Sequence, residues 1–191
     1  MSRRRIVITD EDTDKTTINT ENVAEKGQKL VSSNAYLVVL LVLAIIAILA
    51  IWLIGAKNGD TFLKTLNLPP GFPNYVIRNI FTTLAILALA IAVGMSLRKG
   101  KDFDNTVLII MFVIFLGLEV ALESAFQNRE DLSGTALTAP LCTLALGFIM
   151  FYAWPISYGW VRALYIFAFI WFLYLTVEFL ILYHKNKPPS P

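Results

Sequence analysis

Cysteine and histidine are almost missing from this chain, which holds only Cys142 and His184. One cysteine excludes an intramolecular disulfide framework and a cysteine-based zinc site. One histidine excludes an HExxH metal site and a histidine relay. Charge is scarce as well, at 16% of residues against about 25% in an ordinary soluble domain. A net charge of +2 spread along 191 residues leaves no basic footprint, so nucleic acid is not an expected partner. No nucleophile–base pair, metal set or cofactor loop can be assembled from these residues. The chain is therefore expected not to be an enzyme, with no catalytic residue, no metal and no required cofactor.

What fills the chain is apolar. Hydrophobic residues make up 57% of it, against about 45–50% in a soluble domain, and they fall into five long blocks. At 1.5 Å per residue, crossing a hydrocarbon core of roughly 30 Å takes about 20 apolar residues. Residues 35–54 meet this with no charge at all and end at Trp52, an aromatic suited to an interface. Residues 75–97 form the second block, 107–126 the third, 136–154 the fourth and 160–183 the fifth. In lipid every backbone group must be satisfied within its own segment, so these blocks are expected to be helices. Most of the intervening loops are short, which makes neighbouring helices antiparallel. The expectation is an all-α integral membrane protein, an up-and-down bundle of five transmembrane helices over residues 35–186.

The remaining segments differ from these blocks. Residues 1–34 carry six Lys/Arg and six Asp/Glu with few large apolar side chains, the composition of a disordered polar tail. Residues 187–191 form a short C-terminal tail. The stretch 55–74 is the one long loop, and it holds Pro69, Pro70 and Pro73. Its apolar residues, among them Phe62, Leu63, Leu66, Leu68 and Phe72, argue against disorder, so it is expected to lie over one mouth of the bundle. Lys and Arg number ten on the N-terminal side and six on the other, which places the N-terminus in the cytoplasm.

Besides Arg162 at the very start of the fifth block, four charged residues interrupt the apolar blocks. Glu119 and Glu123 are four apart on the third, which puts them on one helix face. Arg78 lies near the start of the second block and Glu178 near the end of the fifth. Counted along antiparallel helices, all four fall in the half of the bundle that faces the long loop. An ionisable group at such a depth is costly unless paired or hydrated, so each is a functional-site candidate. Arg78 and Glu123 are the candidate ion pair, with snorkelling to the headgroups as the alternative. For Glu119 and Glu178 a polar pocket and hydrogen bonding between helices are the two readings. Near the C-terminus, Leu180, Tyr183 and Lys185 fit the loose sterol-contact pattern, which any interface anchor also satisfies. Ala88, Ala92, Ala90 and Gly94 form the small-xxx-small pattern of close helix packing.

Several stretches resemble the TspO/MBR family, the tryptophan-rich sensory and translocator proteins. Phe62-Leu63-Lys64-Thr65-Leu66-Asn67-Leu68-Pro69, followed by Pro70-Gly71-Phe72-Pro73, keeps the spacing of aromatic, Leu and Pro in the family's first loop. Leu118-Glu119-x-x-Leu122-Glu123-x-x-Phe126 keeps that of its third helix, with Glu in place of Asn and Ser and Leu in place of Trp. Val177-Glu178 is similar in position to a Leu-Asn pair of the fifth. The resemblance implies a pocket beneath the first loop, a bound porphyrin, haem or sterol, and a homodimer. On this reading Phe62, Leu66, Phe72, Leu122, Phe126 and Trp171 supply apolar contacts. Asn79, Glu119, Glu123 and Glu178 supply the polar groups. The function expected is a membrane-embedded binding protein or translocator for a flat hydrophobic ligand, with the bilayer as its other partner. A small proton- or cation-coupled transporter or channel using the carboxylates is the first alternative. A non-catalytic membrane scaffold is the second.

Overall fold

Five helices account for nearly all of the computed structural model, which describes residues 34–56, 62–99, 102–128 and 130–186. They are α1 (Asn34–Ala56), α2 (Tyr75–Ser96), α3 (Asp102–Glu123), α4 (Leu132–Ala153) and α5 (Gly159–Asn186). Each is long and apolar enough to cross a membrane. No strand occurs among the described residues. The expected tails at 1–33 and 187–191 lie outside the described residues, whereas Asn34 opens α1 instead of closing the polar tail.

Capping chemistry sets several of the boundaries. The Asn74 side chain accepts the Ile77 N–H at 2.8 Å and starts α2. Asp131 accepts from the Gly134 N–H at 2.9 Å and starts α4 four residues before the apolar block at 136–154 begins. α3 likewise starts at Asp102, five residues before the apolar block at 107–126, and α5 runs on to Asn186, past its expected end at residue 183. In each case the helix outlasts its hydrophobic stretch, because backbone hydrogen bonding continues into polar residues. α3 does not end as an ordinary helix. Ser124–Asn128 widens into a π turn, and the Asp131 N–H reaches back to the Ala125 carbonyl at 3.0 Å. Glu130 follows with φ of 53°, a left-handed conformation that is uncommon outside glycine.

α2 lies against α1 on one side and α5 on the other. Trp52 Nε1 of α1 donates to Thr83 Oγ1 of α2 at 3.0 Å, and Tyr75 Oη donates to the Trp52 carbonyl at 3.2 Å. Gly94 sits where an added Cβ would collide with Leu37, so α1 and α2 touch closely at their far ends too. These pairings run antiparallel, 52 with 83 and 37 with 94. α5 packs on α2 and α4, and α4 on α3. Between α4 and α5 a polar seam crosses the core. Thr143 Oγ1 donates to the Phe172 carbonyl at 3.1 Å, and Thr176 Oγ1 donates to the Ala139 carbonyl at 2.9 Å. Phe112, Phe115, Tyr165 and Phe172 fill the centre. The outer faces are apolar as well: Leu53 is 73% exposed, Phe151 75% and Ile170 61%.

Candidate functional site

The interior holds a charged cluster where α2, α3 and the π turn meet. Arg78, one turn into α2, and Glu123, in the last turn of α3, are 0% and 1% exposed, and Arg78 Nη2 donates to Glu123 Oε2 at 2.7 Å. The same carboxylate oxygen accepts from Gln127 Nε2, also at 2.7 Å. Gln127 reaches it because it follows Glu123 by four positions along the helix axis. The guanidinium lies over two rings, with its central carbon 4.8 Å from the centre of Phe126 and 5.7 Å from that of Phe179. It is thus paired, hydrogen-bonded and stacked, and does not reach toward a surface.

Around this pair lie polar atoms that meet no oxygen or nitrogen partner among the described residues. Glu119, one turn before Glu123, is fully buried among Glu123, Arg78 and the Cys142 thiol of α4. Neither of its carboxyl oxygens has a partner in hydrogen-bond geometry. Asn79 is fully buried, and both its amide nitrogen and its oxygen are unpartnered. Arg78 keeps Nε and Nη1 free. Folded proteins pair nearly all such groups, because an unmet buried donor or acceptor costs about 1–3 kcal/mol. The cluster also carries two carboxylates against one guanidinium.

The described part of the long loop, residues 62–74, covers this cluster with aromatic side chains. Phe62 packs edge-on against Phe126 with centroids 5.5 Å apart, and Phe72 packs against Phe126 at 6.4 Å and Phe179 at 6.0 Å. Phe126 and Phe179 in turn touch each other at 5.0 Å. Two fasteners on α5 hold this lid. Tyr174 Oη donates to the Gly71 carbonyl at 2.9 Å. Asn186 accepts the Asn67 N–H at 2.8 Å and donates to the Asn67 carbonyl at 3.3 Å.

Of the residues singled out from the sequence, some thus meet at the cluster and others lie apart from it. Arg78, Glu119 and Glu123 come together, with Phe62, Phe72 and Phe126 above them. Leu66 and Leu122 pack into the core nearby. Glu178 is 9% exposed, its Oε2 has no partner among the described residues, and it lies near the Tyr174 phenol. Trp171 has its indole N–H committed to Thr82 Oγ1 at 3.1 Å and its ring stacked on Phe81 at 5.0 Å, at the seam of α2 and α5. Leu180, Tyr183 and Lys185 line a shallow groove on the outside of α5, away from the cluster. Gln127, Phe179, Tyr174 and Asn186 were not singled out. Gln127 could have been found from its i, i+4 relation to Glu123, whereas the other three act across long sequence separations that leave no local trace. No protein-family model matches the chain, and neither curated proteins nor solved structures are significantly similar to it.

Proposed function

We propose that the protein is a multi-pass integral membrane protein that binds or translocates a small amphiphile with a flat hydrophobic body, a tetrapyrrole or a sterol. The observation that supports this most is the set of unpartnered atoms on Arg78, Asn79 and Glu119 beneath the aromatic lid. Ligand sites are largely apolar with a few convergent polar groups that fix orientation, and that is the composition found here. Family membership finds no support in the comparisons, so the reading stands on the cluster and its lid. The end bearing Arg98, Lys99 and Arg162 faces the cytoplasm on this proposal.

Two of the four tryptophans serve as reporters, since Trp52 and Trp171 bond Thr83 and Thr82, one turn from Asn79. In a Trp154→Phe/Trp160→Phe background, protoporphyrin IX should quench them saturably at micromolar concentration, and a sterol should compete. Asn79→Leu and Glu119→Leu should each weaken binding about tenfold, the loss of one charge-assisted or buried hydrogen bond. Non-saturable quenching, or quenching indifferent to both substitutions, would end this reading.

The charge imbalance favours a second reading. A proton or small cation held at Glu119 would offset the carboxylate that Arg78 leaves unmatched, as in a proton- or cation-coupled transporter. Ion flux into liposomes that is lost on Glu119→Gln would support it. If neither binding nor flux is seen, the unmatched groups serve a scaffold.

A further inference from the structure

At the opposite end of the bundle a groove of about 590 Å³ runs along α4, lined by Gly147, Met150, Phe151, Trp154 and Ile156. Its walls are apolar and open outward. Arg162, in the first turn of α5, donates from Nε and Nη2 to the Trp154 carbonyl at 3.2 and 3.0 Å, and its guanidinium lies 5.0 Å from the Trp154 ring centre. This bridging commits two of the five N–H donors of an arginine and leaves the others over.

A second cation sits over the turn that leads into α5, where the Tyr158 carbonyl accepts the Arg162 backbone N–H at 3.0 Å. Lys99 Nζ stands 3.5 Å from the centre of the Tyr158 ring. The Ser96 hydroxyl meets those of Ser157 at 2.8 Å and Tyr165 at 3.0 Å, which anchors the end of α2 to the turn between α4 and α5. Residues 94–104 and 150–166 carry four Lys/Arg (Arg98, Lys99, Lys101 and Arg162) against two acids, Asp102 and Asp104. Trp154, Tyr158 and Trp160 are all exposed at this level, an arrangement suited to a membrane–water interface.

We infer that this corner is a binding site for an anionic phospholipid, with the phosphate on Arg162 and Lys99 and an acyl chain along the groove. The inference rests on the reading of the chain as membrane-spanning. Charge complementarity selects the occupant. This excess of basic side chains favours a headgroup of net negative charge, whereas a zwitterionic headgroup brings its own cation to the same place. Each basic residue near a surface contributes on the order of a fivefold preference for anionic lipid.

Bromine-labelled lipids test this directly. A Trp52→Phe/Trp171→Phe variant keeps Trp154 and Trp160 as reporters in vesicles of equal parts phosphatidylcholine and phosphatidylglycerol. The acyl chains of one lipid or the other carry bromine, which quenches tryptophan on contact. Brominated phosphatidylglycerol should quench more, equivalent to an enrichment of about threefold to tenfold beside the groove. The preference should fall to parity in Lys99→Gln/Arg162→Gln and shrink as salt is raised. Equal quenching by the two lipids would overturn the site while leaving membrane insertion intact. A preference unchanged in the double variant would overturn it as well. If neither lipid quenches, the groove is covered by protein or lies outside the bilayer, and both readings fail.

Discussion

Removing the guanidinium of Arg78 is the sharpest test of how the cluster is held. Arg78→Met keeps most of the side-chain volume and deletes the charge. The lost interaction is a direct pair at 2.7 Å between groups that are 0% and 1% exposed. At an effective dielectric of about 20, two unit charges some 4 Å apart attract by about 4 kcal/mol. The contacts with Phe126 and Phe179 add about 0.5–2 kcal/mol. Desolvation opposes both, and removing one member of a buried pair typically costs about 3–5 kcal/mol because the other charge is stranded. Glu123→Leu should fall at the low end of that range, since Glu119 is one turn away and Arg78 can turn to it. The double variant Arg78→Met/Glu123→Leu should cost far less than the two single losses summed, at most about 1 kcal/mol more than Arg78→Met alone, with a coupling energy of about 2–3 kcal/mol. Unfolding in mixed detergent micelles, followed by tryptophan fluorescence, gives the four free energies. Single losses below about 1 kcal/mol that simply add would refute the reasoning, because that is the behaviour of a solvated pair.

Three further outcomes follow from the packing. Gly94→Val should lower stability by about 1–3 kcal/mol, because its Cβ would stand 3.3 Å from the Leu37 Cα and force α1 outward; thermal unfolding in detergent measures it. Thr176→Val keeps the shape but loses the bonds to the Ala139 carbonyl and Thr143, and should cost about 0.6 kcal/mol and at most about 1.7. Asn186→Ala unfastens the lid, so hydrogen exchange at the Asn67 amide should quicken about fivefold to tenfold while the α2 amides stay as they were. Unchanged exchange at Asn67 would show that the lid is held by its aromatic rings alone.

The number and order of the helices were legible in the sequence because each depends on one local quantity, an apolar run long enough to span. The ends of the helices were less so. Residues 132–135 carry too few apolar groups to register in a hydropathy reading, yet Asp131 three residues before Gly134 is an N-cap signal in plain view. The site was partly legible for a geometric reason. Counting residues from the ends of antiparallel helices places Arg78 and Glu123 at one level, and a single ion pair between them then needs only facing sides. The same counting placed Glu178 near that level but could not tell which side of α5 meets which neighbour. Rotation about a helix axis is decided by packing, and α5 is apolar all round, so its sequence offers no stripe to read. The lid fasteners were out of reach, since Asn67 and Asn186 are 119 positions apart.

The widened turn at Ser124–Asn128 ties the chemistry of the interior to chain length rather than to side-chain identity. A π turn holds one residue more than an α turn, so deleting one there would let the backbone relax into an ordinary helical spiral and re-register the side chains of the stretch. Loss of Ser124 would bring Gln127 to three positions from Glu123, still on its face, and carry Phe126 to two, off the face that the loop covers. A frame-preserving loss of a single codon in this five-residue stretch would therefore disarm the core more thoroughly than most exchanges of one amino acid for another.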